Sequence, residues 1–363
     1  NMITHLGVYR TSLVKQVGGF RKGYEGAQDW DLALRIYELI PEHTIRHIPF
    51  VLYHWRVTPT STSSGMDAKP YAREAQYKTI SEHLQRRDIE GELIDVIKVF
   101  WRASLNKTNY KNYEIIILDN GSDDAKTINY LKEISTNPNI KVIRYDIPFN
   151  YSKINNYAAK FADGELLLFL NNDTEVINKD WLEELVSHAI RKEVGAVGAM
   201  LYYPDDTIQH AGVILGVLGV AGHAYKFFNK GHPGQMGRAL LVQYLSAVTG
   251  ACLMTRREVF EEVGGFDEKF EAAFNDVDLC LKIREKGYKI VWTPYAELYH
   301  YEGVSRGKDT IENPRFKREI DMMIERWGHV LYDDPAYNPN LTLDREDFSL
   351  AFPPRAKKPW EGI

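Results

Sequence analysis

The sequence predicts an α/β fold in which helices flank a mixed, mostly parallel sheet. Strand-like and helix-like segments alternate between residues 113 and 191, and this order is typical of parallel sheets with helices on both faces. Acidic and amide side chains directly follow two of the strand-like segments, at 118–124 and 170–175. Because ligands bind at the carboxyl ends of strands in such sheets, both clusters are candidate site residues.

The individual strands and helices follow from the local pattern of apolar residues. YEIIILD (113–119) and IKVIRY (140–145) are short apolar segments, which predicts two buried strands. A third strand is predicted for ELLLFL (165–170), between helices over 151–162 and 178–191. Its uninterrupted apolar run indicates burial on both faces of the sheet.

The chain repeats part of itself at a distance of 246 residues. The VGGF of residues 17–20 recurs at this distance, and so does the LYH of residues 52–54. Between them, the DWD of residues 29–31 returns as DVD at 276–278, after a gap of one residue. This period is too long for a solenoid and suits a whole domain. We therefore predict that residues 1–57 are the C-terminal remnant of a first domain copy.

The repeat also sets the other predicted boundaries. Residues 96–310 are predicted to form the second copy of the domain. Residues 58–95 are predicted to be a linker, in which a helix over 69–87 follows a Ser- and Thr-rich loop. Residues 311–363 are predicted to contain an amphipathic helix over 314–328 and then a tail that runs extended over the surface.

Composition excludes several classes of protein. A net charge of −5 and a pI of about 6.2 give no sign of binding to nucleic-acid phosphates. Cys252 and Cys280 do not make a disulfide framework, which favours a reducing compartment. The apolar stretch at 211–222 is too short to span a bilayer, and the first ten residues lack a signal-peptide pattern. We therefore expect a cytoplasmic protein.

The stretch LLLFLNNDTE (166–175) changes abruptly from apolar residues to carboxylates and amides. Asp173 is therefore expected to emerge at the rim of the sheet. A hard divalent cation takes one or two carboxylates and completes its coordination shell with phosphate oxygens and water, which is one interpretation. The other is structural, because Asp173 or Thr174 is suited to cap the helix predicted at 178–191. The local sequence leaves both interpretations open.

Five longer motifs occur in a fixed order along the chain. They are YEIIILDNGSDD, FNYSKINNYAAKFADGELLLFLNNDTEV, SAVTGACLMTRREVFEEVGGFDEKF, FNDVDLCLKIREKGY and LYHYEGVSRG. In this order they resemble the family 2 glycosyltransferases of the GT-A fold, across roughly residues 96–310 and in part again over 1–57. The resemblance implies a Rossmann-like GT-A domain, with a partial second copy at the N-terminus.

On the donor side, the resemblance implies roles for individual residues. Asn171-Asn172-Asp173 stands in the place of the family's Asp-x-Asp motif, and Asn171 replaces its first Asp, so Asp173 is the expected metal ligand. His300 is the second expected metal ligand, although a lone His is more often structural. Arg306 is expected to contact phosphate. The residues expected to bind the nucleotide sugar are Asp119, Asn120, Ser152, Asn156, Asn171, Asn172 and Arg306.

On the acceptor side, the resemblance implies that Asp276 is the general base. It stands in the pair Asn275-Asp276, where the family usually has Glu-Asp. A carboxylate can accept the proton of an attacking hydroxyl group, but Asp276 is also suited to cap the helix that follows it. Trp181 is expected either to stack on a sugar or to pack in the core. The expected acceptor-side contacts are Thr249, Gly250 and Trp181.

The resemblance therefore implies an inverting, metal-dependent glycosyltransferase of surface-polysaccharide synthesis. Its donor is expected to be a UDP- or dTDP-type nucleotide-diphosphate sugar, and its acceptor a glycan or a lipid-linked glycan. The expected cofactor is Mn²⁺ or Mg²⁺, which neutralises charge on the leaving diphosphate. A lipid-linked acceptor implies that the protein associates peripherally with the inner face of the membrane.

Two other function classes compete with this interpretation. A nucleotidyltransferase usually shows a Gly-rich phosphate loop near the first strand, and the sequence has none. A nucleotide-sugar-binding or scaffold domain without catalysis is favoured by the amides of Asn171 and Asn275, and by one missing strand. RDIEGELID (87–95) is too polar and too short to be the family's first strand. We predict that a segment is missing from the chain near 88–96.

Overall fold

The structure is a computed structural model of the chain. The chain divides into two compact units, residues 1–101 with 358–363 and residues 102–357. Among the described residues, no helix is long and apolar enough to cross a membrane. The structure describes residues 7–41, 44–45, 70–87, 108–110, 112–123, 125–301 and 311–356.

The first unit is helical where it is described, and a buried carboxylate organises it. Asp31 is fully buried and accepts hydrogen bonds from both Arg21 and Arg35. Glu82 accepts from Arg21 at 2.9 Å and from Tyr24 at 2.5 Å, which ties the third helix to the loop between the first two. The described helices of this unit are α1 (Thr11–Gln16), α2 (Gln28–Tyr37) and α3 (Pro70–Arg86).

The second unit is a mixed α/β domain. Its described strands are β1 (Ile115–Asp119), β2 (Ile140–Arg144), β3 (Leu166–Leu170), β4 (Thr174–Val176), β5 (Val194–Tyr202), β6 (Ile208–His210), β7 (Val213–Leu215), β8 (Ala221–His223), β9 (Gln243–Leu245), β10 (Cys252–Arg256) and β11 (Lys289–His300). Its described helices are α4 (Ala125–Ile134), α5 (Tyr151–Ala159), α6 (Trp181–Ala189), α7 (Arg257–Glu262), α8 (Asn275–Glu285) and α9 (Pro314–Tyr332).

The strands form one main sheet and two small ones. Within the described residues, the main sheet has seven strands in the order β3-β10-β5-β11-β4, with β6 added on β5 and β9 on β11. Strands β5 and β11 are parallel, and β3 runs in their direction because β10 lies antiparallel between β3 and β5. Strands β1 and β2 form a separate parallel pair, and β7 and β8 an antiparallel one. The predicted α/β fold with a mixed sheet is confirmed.

Strand β5 lies at the centre of the domain, and all nine of its residues are buried. Ala199 and Leu201 pack with α6 on one face of the sheet, whereas Met200 and Tyr202 belong to the cluster that includes α8 and α9. A side chain at Gly195 would collide with Ile283 of α8. The glycine therefore allows this helix to pack close to the sheet.

The C-terminal tail differs from its prediction. Helix α9 continues to Tyr332 rather than ending at residue 328, and the tail beyond it is not simply extended over the surface. Asp334 is buried and accepts a hydrogen bond from the backbone N–H of Leu215 at 3.2 Å. Phe348 is also buried and stacks on Tyr225 at a centroid distance of 5.0 Å. Buried anchors therefore hold this segment on the domain.

The local backbone of the first unit repeats that of the second. Gly18 and Gly19 follow α1 with φ of 79° and 69°, and the two glycines after α7 have φ of 76° and 66°. Asp29 is the second residue of α2, as Asp276 is of α8. These likenesses agree with a partial second copy, which remains a prediction.

Several predictions fall outside the described residues. They are the LYH repeat at 52–54, the Ser- and Thr-rich loop before residue 69, the missing segment near 88–96 and the phosphate contact of Arg306.

Candidate active site

The turn that follows β3 brings Asp173 to the edge of the sheet. The backbone N–H of Asn171 donates to Ala251 at 3.0 Å, and the carbonyl of Asp173 accepts from the N–H of Tyr301 at 2.9 Å. Strand β4 then intervenes before α6, whose N-cap residue is Asp180 and makes no side-chain cap. Neither Asp173 nor Thr174 therefore caps α6, and the structural interpretation of this motif is wrong.

Gln209 of β6 fixes the orientation of His300. Its amide oxygen lies 2.7 Å from Nδ1 of His300, and its amide nitrogen donates to the carbonyl of His300 at 3.3 Å. Because an amide oxygen only accepts hydrogen bonds, Nδ1 carries a proton. In the neutral imidazole the lone pair of Nε2 then faces Asp173 and the amide nitrogen of Asn171, which lies 3.3 Å away. Metal-binding histidines are typically oriented by such a bond from the other ring nitrogen.

Asp173 and His300 fit a divalent cation. Oδ1 of Asp173 lies 3.1 Å from Nε2 of His300, and within the described residues this buried oxygen has no hydrogen-bond partner. Two acceptor atoms at this distance repel each other unless a proton or a cation lies beside both. Two neighbouring ligands of an octahedral cation with bonds of about 2.1 Å are about 3.0 Å apart, which agrees with the distance found.

The protein supplies few ligands to such a cation. Among the described residues there is no cluster of three or more His, Cys, Asp or Glu side chains that suits a metal. A cation held by Asp173 and His300 would therefore take its other ligands from phosphate oxygens and water. That is usual where a metal binds together with a phosphate-bearing substrate.

Asp276 lies at the start of α8, with both carboxylate oxygens held by backbone N–H groups. Oδ2 accepts from Gly250 at 2.8 Å, and Oδ1 accepts from Val277 at 2.8 Å. The residue before the helix, Phe274, has a φ of 58°, which is rare for a bulky side chain. Such strained residues cluster at functional sites. The helix N-terminus also favours a negative charge at this position.

Asp278 serves a different purpose from Asp276. It is fully buried, and its Oδ1 accepts from Arg326 at 2.7 Å and from Trp327 at 2.9 Å. This carboxylate therefore anchors α9 to α8 and cannot reach a substrate.

A buried segment of three residues joins the two halves of the site. The carbonyl of Ala251 accepts a hydrogen bond from the N–H of Asn171, in the turn before Asp173. The N–H of Gly250 donates to Asp276. The hydroxyl of Tyr151 donates to the carbonyl of Gly250 at 2.8 Å, and burial together with the Asp276 charge raises the pKa of Tyr151. Thr249 is also buried, and its N–H lies 3.4 Å from Nε2 of His210. This segment places the expected metal ligand and base on one rim.

Asp119 ends β1 at the expected donor side. Its carboxylate accepts from the N–H of Ser122 at 2.9 Å and from Arg144 at 2.8 Å. Burial raises its pKa, but the bonds from Ser122 and Arg144 outweigh burial, so the pKa lies below the ordinary range and the group is ionised. Asn120 donates to the carbonyls of Tyr145 and Ile147. Asn120 thus fixes the segment that follows β2.

Three of the expected ligand contacts prove to be structural. Ser152 is fully buried and donates to the carbonyl of Phe270 at 2.6 Å. Asn156 pairs through both ends of its amide with the backbone of Phe266, at 2.9 Å each. Trp181 is 4% exposed, and its indole N–H donates to Thr108 at 2.9 Å. Ser152 and Trp181 are buried with satisfied partners, and Asn156 is half-buried with both ends of its amide bonded, so these residues are corrected to structural roles.

Asn172 is exposed on the turn between Asn171 and Asp173, so its donor contact remains a prediction. Gln209 was not identified from the sequence. Its only signal is a polar pair with His210 inside the largely apolar stretch TIQHAGVILG. Its importance depends on the contact between β6 and the end of β11. The two residues that make this contact, Gln209 and His300, are 91 positions apart in the chain.

Comparisons with known proteins match part of this chain to a family. Residues 92–264 match the sequence profile described as glycosyl transferase family 2. The fold is similar to that of the solved structure of GalNAc-T7 with UDP, GalNAc and Mn²⁺. That likeness has a TM-score of 0.44 and 18% sequence identity, and it covers 61% of this chain and 44% of that one.

Two longer proteins resemble almost the whole chain. It is 45% identical to the uncharacterized protein y4gI of Sinorhizobium fredii, in an alignment that covers 97% of this chain and 43% of that protein. It is 36% identical to the O-antigen biosynthesis protein RfbC of Myxococcus xanthus, covering 96% of this chain and 29% of that protein. The chain therefore spans less than half the length of either relative. Residues 92–264 of this chain are a glycosyl transferase family 2 domain.

Proposed function

We propose that the domain transfers a sugar from a nucleotide-diphosphate sugar to a glycan or lipid-linked acceptor, with inversion, in the synthesis of a cell-surface polysaccharide. The family of residues 92–264 supports a glycosyltransferase. The name of one relative, an O-antigen biosynthesis protein, supports the polysaccharide. The observation that carries the proposal is Oδ1 of Asp173, which is buried without a hydrogen bond and lies 3.1 Å from Nε2 of His300, on the rim that also holds Asp276.

Asp173 and His300 are the residues that would hold a divalent cation, Mn²⁺ or Mg²⁺. When bound, it would neutralise charge that builds on the leaving nucleoside diphosphate. The chain itself fixes the two ligands, because Gln209 orients the imidazole and the backbone of Tyr301 holds the turn. The site is therefore organised before substrate binds, which is how electrostatic catalysis avoids reorganisation.

Asp276 is the proposed general base. The acceptor oxygen attacks the anomeric carbon, the bond from that carbon to the diphosphate oxygen breaks, and the hydroxyl proton passes to the Asp276 carboxylate. Direct displacement inverts the anomeric carbon. The N–H groups of Gly250 and Val277 orient the carboxylate without neutralising its charge.

The donor is proposed to be a UDP- or dTDP-type sugar. Asp119 lies at the end of β1, ionised and 8% exposed, where it would meet the base or ribose. Asn171 and Asn172 would lie beside the diphosphate, and Arg306 would contact phosphate. We place the reaction in the cytoplasm, with peripheral contact at the inner face of the membrane where the acceptor is lipid-linked.

A panel of nucleotide sugars tests the proposal. The full chain is incubated with each donor and a mixture of glycan acceptors, with Mn²⁺, with Mg²⁺ or with a chelator, and release of nucleoside diphosphate is measured. We expect nucleoside diphosphate to be released with a subset of the donors, and only when the cation is present. Cation-independent release, or no release with any donor, would contradict the proposal.

The second candidate is a nucleotide-sugar-binding domain without catalysis. The observation that favours it is Asn275, whose amide replaces the family's carboxylate and whose side-chain nitrogen is buried without a hydrogen-bond partner. The same panel separates the two candidates. Tight, cation-dependent binding of nucleoside diphosphate without turnover would identify a binding domain.

A further inference from the structure

The residue that orients His300 lies in a β-bulge. Ile208 and His210 of β6 pair with two adjacent residues of β5, so Gln209 between them faces no residue of that strand. Bulges leave the extra residue out of the pairing and re-aim its side chain, often next to active sites. Here the bulge allows the side chain of Gln209 to reach His300.

His223, at the end of β8, donates a hydrogen bond to this bulged residue. Its Nδ1 lies 3.0 Å from the carbonyl oxygen of Gln209, and because a carbonyl only accepts hydrogen bonds, this Nδ1 carries a proton. The amide of the same Gln209 contacts His300 twice, at 2.7 Å from Nδ1 and 3.3 Å from the carbonyl oxygen. A single residue therefore connects the imidazole of His223 to the expected metal ligand.

The C-terminal tail holds the backbone of His223. The N–H of His223 donates to Oε1 of Glu346 at 3.1 Å, and the carbonyl of Glu346 accepts from the N–H of Tyr225 at 2.7 Å. A side chain at Gly222 would come within 2.8 Å of the same Oε1. The glycine therefore leaves room for the Glu346 carboxylate to reach the end of β8.

The ring of His223 also packs against a buried neighbour. It meets the ring of His210 edge to face, with a centroid distance of 4.8 Å and an interplanar angle of 78°. His210 is fully buried, and its Nε2 accepts from the N–H of Thr249 at 3.4 Å. Burial, followed by the nearby imidazoles of His223 and His300, lowers the pKa of His210, so its ring is neutral. A buried, uncharged ring therefore restricts the orientation of the His223 side chain.

We propose that His223 is a positioning residue of the metal site, which fixes the bulged Gln209 so that its amide holds the imidazole of His300 with Nε2 toward the cation. The inference rests on the proposed function and deepens it, because it adds a residue held by the C-terminal tail to the parts that organise the metal ligands. His223 acts through Gln209 and is not itself a ligand.

Variants of the full chain separate this role from a general effect on stability. His223→Leu removes the donor, whereas His223→Asn keeps one, because the amide nitrogen is bonded to Cγ as Nδ1 is. His188→Leu is the matched control, since His188 is a half-buried residue of α6 that pairs with Glu184 at 3.0 Å. Glu346→Ala disturbs His223 from the tail, and Glu346→Gln keeps an acceptor oxygen. Circular dichroism checks that each variant is folded.

Two readouts follow the metal ligand. Electron paramagnetic resonance measures the affinity for Mn²⁺ with UDP or dTDP. Nuclear magnetic resonance of protein labelled with ¹⁵N-histidine measures the tautomer of His300 without any metal. A double variant, in which His223→Leu is combined with Gln209→Ala, shows whether His223 acts through Gln209.

We expect His223→Leu to weaken Mn²⁺ affinity by about tenfold, the lower end of the range for residues that hold a metal ligand, and to mix the tautomers of His300. Glu346→Ala should act in the same direction. His223→Asn, Glu346→Gln and His188→Leu should stay close to the wild type. The double variant should bind Mn²⁺ no more weakly than Gln209→Ala alone, because residues in one network are not additive.

Unchanged Mn²⁺ affinity or an unchanged His300 tautomer in folded His223→Leu would overturn the positioning role. Equal losses in His223→Leu and His223→Asn would do the same, and so would a further loss in the double variant. If His223→Leu does not fold, the Glu346 pair decides by the same criteria. Failure of the wild type to bind Mn²⁺ with nucleotide would instead contradict the proposed function, and the tautomer of His300 would still test His223.

Discussion

At the residue scale, the N–H of Gly250 orients the carboxylate of Asp276. Gly250 belongs to the buried segment 249–251. A side chain added at Gly250 would lie 3.1 Å from the hydroxyl of Tyr151 and 3.3 Å from Cβ of Asp276. The carboxylate is therefore closely confined, as general acid–base catalysis requires, since position matters as much as pKa.

Asp276→Asn tests the base directly. The amide cannot take a proton, so we expect turnover to fall by about two to four powers of ten, while the affinity for Mn²⁺ with nucleotide is kept. The control is Asp29→Asn, at the equivalent position of α2, which should leave the rate unchanged. The assignment fails if Asp276→Asn retains turnover within a few-fold of the wild type.

Gln209→Ala tests the orientation of His300. Loss of the partner of Nδ1 frees the imidazole to rotate and change tautomer, and such losses typically weaken metal binding by about 10- to 100-fold. Isothermal titration with Mn²⁺ measures this without any turnover. Gln209→Glu keeps an acceptor for Nδ1 and should restore most of the affinity. Equal affinities in all three proteins would show that Gln209 does not orient the ligand.

Sequence reasoning found Asp173 and Asp276 because each lies in a motif with a fixed place in the family. It misassigned Ser152 and Asn156, because a local sequence does not tell which polar residues of a helix face solvent and which face a neighbouring loop. Both side chains bond the backbone of the segment that precedes α8, more than 100 residues away. Such contacts cannot be inferred from spacing along the chain.

At the element scale, a buried carboxylate on α8 holds two residues of α9. Asp278 accepts from the indole N–H of Trp327 and from Arg326. Trp327 is itself buried, so removal of its acceptor leaves a donor without a partner inside the protein.

Asp278→Ala is therefore expected to lower the free energy of unfolding by about 1–3 kcal/mol, the range for a buried group left unpaired. Urea denaturation measures the change. Asp321→Ala, which removes an exposed partner of Lys317 on α9, should change stability by less than about 1 kcal/mol. A stable Asp278→Ala variant would contradict the anchoring role.

The elements themselves were predictable from local patterns, but their pairing was not. The apolar runs predicted β1, β2 and β3. Helix α5 begins at the predicted residue, 151, and α6 begins three residues after its predicted start at 178. The antiparallel insertion of β10 between β3 and β5 has no local signal, because a strand looks the same in the sequence whichever way its neighbours run. The same holds for the buried anchors of the tail after α9.

At the scale of the whole molecule, the described site residues all come from the second unit. The carboxylate of Asp173 lies at the end of β3, His300 at the end of β11 and Asp276 at the start of α8. The first unit offers Asp29 in a similar helix, but its described residues hold no counterpart of Asp119 or Asp173. This is the reason for expecting no change of rate in an Asp29 variant.

The central claim is that Asp173 and His300 together hold a cation and a nucleoside diphosphate. The most direct measurement is electron paramagnetic resonance of Mn²⁺ titrated into the full chain with UDP or dTDP, for the wild type, Asp173→Ala and His300→Ala. Circular dichroism checks that each variant is folded. We expect one nucleotide-dependent Mn²⁺ site in the wild type, lost in Asp173→Ala and weakened in His300→Ala. Unchanged Mn²⁺ affinity in folded Asp173→Ala would contradict the account.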